Sequence, residues 1–154
     1  MFATAAAFLD LVCAALTAGA MFGLWLGLRG PRLPAPFYVA QQQQLIRGMN
    51  FAMPLLGAAT VVLTLVSAFR VAEERSRLAL LLTSAACFLV AGLITRFLNQ
   101  PINAVVLTWP IDAPPLHWER LRDAWWRWHV RRTLFGFAGF CVLVAATLVA
   151  TGGR

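Results

Sequence analysis

The 154-residue chain contains no lysine, only six acidic residues, two histidines and a single tyrosine. Charged residues make up 12% of it, about half the share of an ordinary soluble domain. A disordered chain would need low hydrophobicity and high charge, whereas 60% of this one is hydrophobic and its mean hydropathy is +0.73. Soluble and disordered readings are thereby excluded. The shortage of acids leaves a formal net charge of +7. Its basic residues are all arginines scattered between long apolar runs, a pattern that does not make a nucleic-acid interface. Cys13, Cys87 and Cys141 stand singly in three different apolar runs without a CxxC or Cys/His cluster. That excludes the usual frameworks of a thiol-disulfide oxidoreductase, an iron–sulfur protein or a thiolate zinc site. It leaves the three as small apolar core residues.

Four uncharged runs, residues 11–28, 51–69, 78–95 and 133–151, approach or match the roughly 20 apolar residues that cross a bilayer core. Four such runs leave too little polar sequence to wrap them in water. The expected fold is an all-α, antiparallel, integral membrane four-helix bundle forming one transmembrane domain over 1–154, with spans near 5–28, 45–69, 78–99 and 125–151. The first run has no Lys or Arg ahead of it and is too long for a signal-peptide core, so it reads as a retained helix.

The segment 29–36 holds three prolines and a glycine and reads as the first loop. The second helix is expected to begin in the Gln41–Gln44 run, with at least three of those glutamines facing water, and to continue through Phe69. Residues 70–77 form a short polar turn. The third helix is expected to end near Asn99, because Pro101 lacks an amide hydrogen and pushes Gln100 away from helical dihedrals. Residues 101–115 then form the longest connection. The fourth helix runs from about Leu116 to Thr151, about 54 Å at 1.5 Å per residue, so its N-terminal end projects beyond a hydrocarbon core of about 30 Å. In the first helix, Gly19, Gly23 and Gly27 share a face. Such a strip serves a homodimer or, the preferred reading, close packing inside the bundle.

Amide and ionisable side chains inside a span are costly unless they face the bundle interior, so each is a site candidate. Gln43, Arg47 and Asn50 follow helical spacing with Pro54 and Gly57. Thr95, Asn99 and Asn103 follow a second stripe, with Arg96 beside it. Trp118, Arg122, Trp125, His129, Arg132 and Gly136 follow a third. In an antiparallel bundle all three stripes lie at one membrane side and can converge on a single cavity mouth. Arg120, Arg122, Arg127 and Arg131 read mainly as interfacial anchors, and Trp126 and Trp128 as an aromatic belt. Asn99 and Asn103 also have a capping and turn-forming reading.

His129 sits among Arg127, Arg131 and Arg132, whose charges disfavour a further positive charge on the ring. A neutral imidazole accepts a proton near pH 7. His117 and His129 are twelve residues apart, about 18 Å along a continuous helix, too far to share a metal ion. No metal site and no cofactor are expected, although a haem or metal with His129 as one ligand stays open. Asp10 lies toward the other membrane side and is not placed in the chemistry. The lack of an acid near the middle of a span argues against a proton-coupled carrier.

Residues 95–103 (TRFLNQPIN), Trp118 and residues 121–132 (LRDAWWRWHVRR) carry a resemblance to the anthrone oxygenase family, small four-helix membrane proteins. Its pattern is an Asn-x-Pro-x-Asn element followed by a Trp-rich helix start ending in His-x-x-Arg. The resemblance implicates Asn99, Asn103, Trp125, His129 and Arg132, and implies oxidation of a small hydrophobic aromatic, such as an anthrone, with O2. Gln43, Arg47, Asn50, Arg96 and Trp118 are added from the stripes alone as substrate contacts. On this reading His129 is the base, Arg132 with Asn99 and Asn103 stabilises an enolate, and Trp125 packs on the ring. The alternatives are a non-catalytic membrane protein binding a lipid, a quinone or a partner helix, and a redox protein with a haem or metal on His129. The arginine bias at the span ends places the cavity mouth in the cytoplasm and both termini outside, with the protein in a bacterial inner membrane.

Overall fold

The computed structural model describes residues 2–28 and 33–152. Most of the first loop, including Arg29 and Arg32, lies outside the described residues, as does Arg154. Four helices are long and apolar enough to cross a membrane: α1 (Phe2–Leu28), α3 (Ala52–Arg70), α4 (Arg75–Ile94, continuing to Val106) and α6 (Trp118–Gly152). Two short helices, α2 (Ala35–Met49) and α5 (Gln100–Val106), complete the fold. The long helices pack in the cyclic order α1, α3, α4, α6, each against two neighbours.

Side-chain pairings fix the directions. Asp10 meets Thr64 and Ser67 while Thr17 meets Thr60. Ser84 meets Gly139 while Thr95 meets Arg132. In both pairs one number rises as the other falls, so α1/α3 and α4/α6 are antiparallel. The four-residue connection 71–74 makes α3 and α4 antiparallel as well. Ala14, Ala68, Leu81, Phe88, Leu143 and Ala146 form the core at the α3–α4 turn end. At the other end Tyr38, Val39, Ile46, Val106 and Trp109 form a second cluster, through which α2 and α5 pack over the start of α6. Phe8, Leu16, Leu55, Val62, Phe69, Leu82, Leu89 and Leu134 point outward. An apolar surface on this scale fits a lipid environment and not water. The protein is an all-helical, multi-pass membrane protein.

Several boundaries differ from the sequence reading, each for a backbone reason. The second helix is not continuous. α2 starts at Ala35, with Pro36 in its first turn where a missing N–H costs nothing. It breaks at Asn50–Phe51 because Pro54 can neither donate to the Asn50 carbonyl nor fit its ring beside it. The third helix does not end at Asn99. A π-helical turn over Thr95–Asn99 inserts one extra residue, so the Gln100 amide donates back to Thr95 rather than Arg96. That shift places Pro101 in the first turn of α5 and lets the helix proceed to Val106. The long connection is therefore 107–117. His117 stands just outside α6 with φ of 65°, so the two histidines do not share one helix.

Other side chains also sit differently from expectation. Gln42 and Gln43 are buried, leaving only Gln41 and Gln44 exposed. A Cβ at Gly19, Gly23 or Gly27 would meet nothing within 4 Å. That strip therefore packs against no helix among the described residues. Gly136 and Gly139 make the close approaches instead: a Cβ at 136 would overlap the Met21 thioether methyl, and one at 139 would lie 3.0 Å from Cys87 Cβ. Cys141 is exposed on the outer surface rather than in the core. Asp10 lies within the first span and is fully buried, accepting hydrogen bonds from Thr64 (2.8 Å) and Ser67 (3.2 Å).

Candidate functional site

α6 runs without a proline for 35 residues and carries one buried stripe, Trp125, His129, Thr133 and Gly136, with Arg132 on its flank. The π-helical turn of the facing helix alters which side chains meet that stripe. It turns Asn99 inward, where Nδ2 donates to the Trp125 carbonyl at 3.1 Å. One helical turn on, Asn103 Oδ1 accepts from Trp125 Nε1 at 2.8 Å. The indole is thus held at both its backbone and its ring. His129 lies parallel to it, with centroids 5.0 Å apart and an interplanar angle of 11°. Trp126 covers the imidazole at 5.8 Å.

Arg132 completes the cluster. Its Nε and Nη2 lie 3.1 and 3.0 Å from His129 Nδ1, and Nη1 donates to Thr95 Oγ1 at 3.1 Å. A guanidinium has only donors, so Nδ1 is the acceptor and a neutral ring carries its proton on Nε2. Nε2 is buried and faces the Met21 main chain. The ion pairs among the described residues are Glu74–Arg77 and Arg122–Asp123. Among the described residues Arg132 therefore has no carboxylate partner.

A cavity of about 400 Å³ opens against this cluster, within the range of small-molecule sites. Its walls are mostly apolar: Met21, Leu24, Ile46, Met53, Val61 and Phe88 among others. Polar groups come from Thr17, Gln42, Asn50, Thr95, Arg96, Gln100, Asn103 and Arg132, with Trp125 beside them. Pro54, Ala58 and Val62 of α3 and Leu89, Gly92 and Leu93 of α4 line the cavity and are also exposed on the outer surface. The cavity therefore reaches the lipid-facing surface between these two helices.

Of the residues singled out in the sequence, Asn50, Arg96, Asn103, Trp125 and Arg132 line the cavity; Gln43, Arg47, Asn99, Trp118 and His129 do not. Gln43 Nε2 instead bonds the carbonyls of Val106 (3.0 Å) and Trp109 (2.9 Å), satisfying the end of α5. Arg47 is exposed and reaches back to Gln43 Oε1 at 3.4 Å. Trp118 packs on Tyr38 at 5.0 Å and under the Arg122 guanidinium at 4.8 Å. Asn99 and His129 stand one layer behind the wall, where they hold Trp125 and Arg132.

Gln42, Thr17 and Met21 are cavity residues that the sequence reading missed. For Gln42 a signal existed: it shares helical spacing with Leu45, Ile46 and Met49, the apolar side of α2. No group of three or more His, Cys, Asp or Glu residues suited to a metal ion occurs among the described residues. His129 Nδ1 is engaged by Arg132 and its Nε2 is buried.

The fold and site define a polytopic membrane protein with a lipid-facing cavity that ends at the Arg132 guanidinium. The chain belongs to the anthrone oxygenase family, whose model matches residues 43–142, about two thirds of its length. Membership implies an oxygenase, and the matched segment spans every element of the Trp125–His129–Arg132 cluster. No curated protein and no solved structure matches the chain.

Proposed function

We propose that the protein oxidises an enolisable, anthrone-like aromatic ketone with O2 inside the membrane cavity. The supporting observation is Arg132, an inward-facing cation on the cavity wall with no carboxylate paired to it among the described residues. Such a charge is costly to hold in a low-dielectric interior, and it is matched by an oxyanion that forms only during the reaction. Asn103 adds a second donor: its Oδ1 is engaged by Trp125, which leaves its NH2 group for the same oxygen. Trp125 supplies an aromatic surface for the fused rings.

Loss of the benzylic proton turns the ketone into an electron-rich enolate. The enolate passes one electron to O2, and the resulting radical and superoxide combine into a C–O–O⁻ group. After protonation, loss of the remaining benzylic hydrogen and cleavage of the O–O bond give the quinone carbonyl and one water. One anthrone and one O2 thus yield one anthraquinone and one H2O.

His129 takes two linked roles in this reading. At rest its Nδ1 lone pair holds Arg132 in place. When the substrate oxygen draws the guanidinium away, that lone pair is released to accept the benzylic proton, a contribution of about 10²–10⁴-fold. The test supplies purified protein with anthrone and O2 and compares His129→Ala with His129→Gln. An amide oxygen can still accept from Arg132 but is no base. Loss of turnover in both variants supports the base role, recovery in His129→Gln limits the residue to positioning, and undiminished turnover in His129→Ala removes it from the mechanism. A wild-type protein that consumes no O2 with any enolisable aromatic ketone overturns the function.

A further inference from the structure

Several polar side chains on the cavity wall take no part in the reaction above, and one of them holds a buried amide nitrogen without a partner. Gln42 lines the cavity from α2, is 2% exposed, and its Nε2 is buried without a hydrogen-bond partner. Its neighbour Gln43 shows what a structural glutamine looks like here, with both amide hydrogens spent on the carbonyls that end α5. Gln42 holds no such carbonyl. A buried amide left unsatisfied is destabilising, and a leucine at this position would continue the apolar side formed by Leu45, Ile46 and Met49 without that cost. The Nε2 group therefore lacks a partner among the described residues.

Gln42 and Arg132 approach the same cavity from different helices, α2 and α6, and differ in chemistry. Arg132 offers only donors and carries charge. The Gln42 amide offers a donor at one end and an acceptor at the other, and a half-turn about its last bond exchanges them. It thus suits either a carbonyl or a hydroxyl. The walls between them are apolar and admit the faces of a fused ring system. Small-molecule sites of this kind fix orientation with a few placed polar groups.

We infer that Gln42 is a specificity-determining residue that hydrogen-bonds a second oxygen of the ligand. The preferred substrate class is then a fused aromatic ketone bearing a hydroxyl or carbonyl remote from the oxygen held by Arg132. This rests on the oxygenase reading of the cavity and extends it from reaction type to substrate pattern. Gln42 lies one residue ahead of the segment matched to the family, so membership assigns it no role.

The test compares unsubstituted anthrone with 3-hydroxyanthrone as substrates, and 9-fluorenone with 3-hydroxy-9-fluorenone as non-enolisable ligands read by tryptophan quenching, in detergent-solubilised protein. The wild type prefers the hydroxylated member of each pair. Gln42→Leu reduces that preference by about tenfold, with the change carried by KM and Kd rather than kcat. Gln42→Met, close in length to glutamine, repeats the loss and guards against a folding defect in the leucine variant. An unchanged preference in both variants overturns the inference. So does a rise in thermal stability with no change in preference, which marks Gln42 as a tolerated buried amide. The ligand pair keeps the two readings separable: a wild type that oxidises neither anthrone but loses its preference for the hydroxylated fluorenone on Gln42→Leu refutes the oxygenase and retains the recognition role.

Discussion

Replacing Arg132 by methionine separates what this residue does for the fold from what it does for a reaction. The variant loses two hydrogen bonds to His129 Nδ1 and one to Thr95 Oγ1. Hydrogen bonds to charged groups contribute about 1.5–3 kcal/mol each. Against that stands the effective cost of burying a cation without a counter-ion, several kcal/mol, which methionine removes while filling much of the same volume. The two sides nearly cancel, so net stability changes by about 2 kcal/mol or less. For a chain of this size that moves the Tm by no more than about 4–8 °C in either direction. Turnover responds differently, because loss of one donor to a developing oxyanion costs about 2.7–4 kcal/mol, a drop of about 10²–10³ in kcat. The assay pairs O2 uptake with anthrone and a thermal melt of the same preparation. A variant that melts well below that window yet turns over within about threefold of wild type would refute the reasoning, since Arg132 would then be a structural element.

Two further predictions concern the frame around the site. Burial pushes the Tyr38 phenol above its ordinary value of 10.0; the Arg122 charge acts the other way and Asp123 reinforces the rise. A phenol raised in the folded state contributes stability that is present below the unfolded pKa and is lost as pH climbs past it. Tyr38 is the only tyrosine, so alkaline phenolate absorbance reports on it alone. Its appearance should accompany a fall in Tm above about pH 10, and Tyr38→Phe should abolish that fall. At neutral pH the same variant should be as stable as wild type or more so, because the hydroxyl is buried without a partner. At the α4–α6 contact, a Cβ at Gly139 would lie 3.0 Å from Cys87 Cβ and 3.1 Å from the Phe88 ring. Gly139→Val should therefore cost about 1–3 kcal/mol, whereas Gly19→Val, with nothing within 4 Å, should leave the melt of the monomeric chain unchanged; equal shifts would contradict the packing.

Hydrophobic run length is a local property, and the long spans were legible because a bilayer demands it of each helix separately. The stripe Trp125, His129, Arg132 was legible for the same reason: helical spacing alone puts those residues on adjacent positions of one face. The Asn50–Phe51 break has a visible cause in Pro54. The π-helical turn does not, because Pro101 is compatible either with ending the helix or with absorbing one extra residue, and packing against α6 selects the second.

The same division holds for the site. Sequence spacing brought Asn103, Trp125 and Arg132 to one membrane side. It did not distinguish wall from backing: Asn103 lies in the wall, whereas His129 and Asn99 stand behind Arg132 and Trp125. Nor did it separate Gln42 from Gln43. One residue along a helix is a rotation of about 100°, and which of the two meets a cavity and which meets the end of α5 depends on where α2 lies against the bundle. Sequence by itself determined an arginine-flanked, four-span membrane protein with a polar end, because lipid solvation acts residue by residue. Tertiary structure alone decided that Arg132 meets a cavity with no carboxylate beside it, because charge compensation depends on which helices come together.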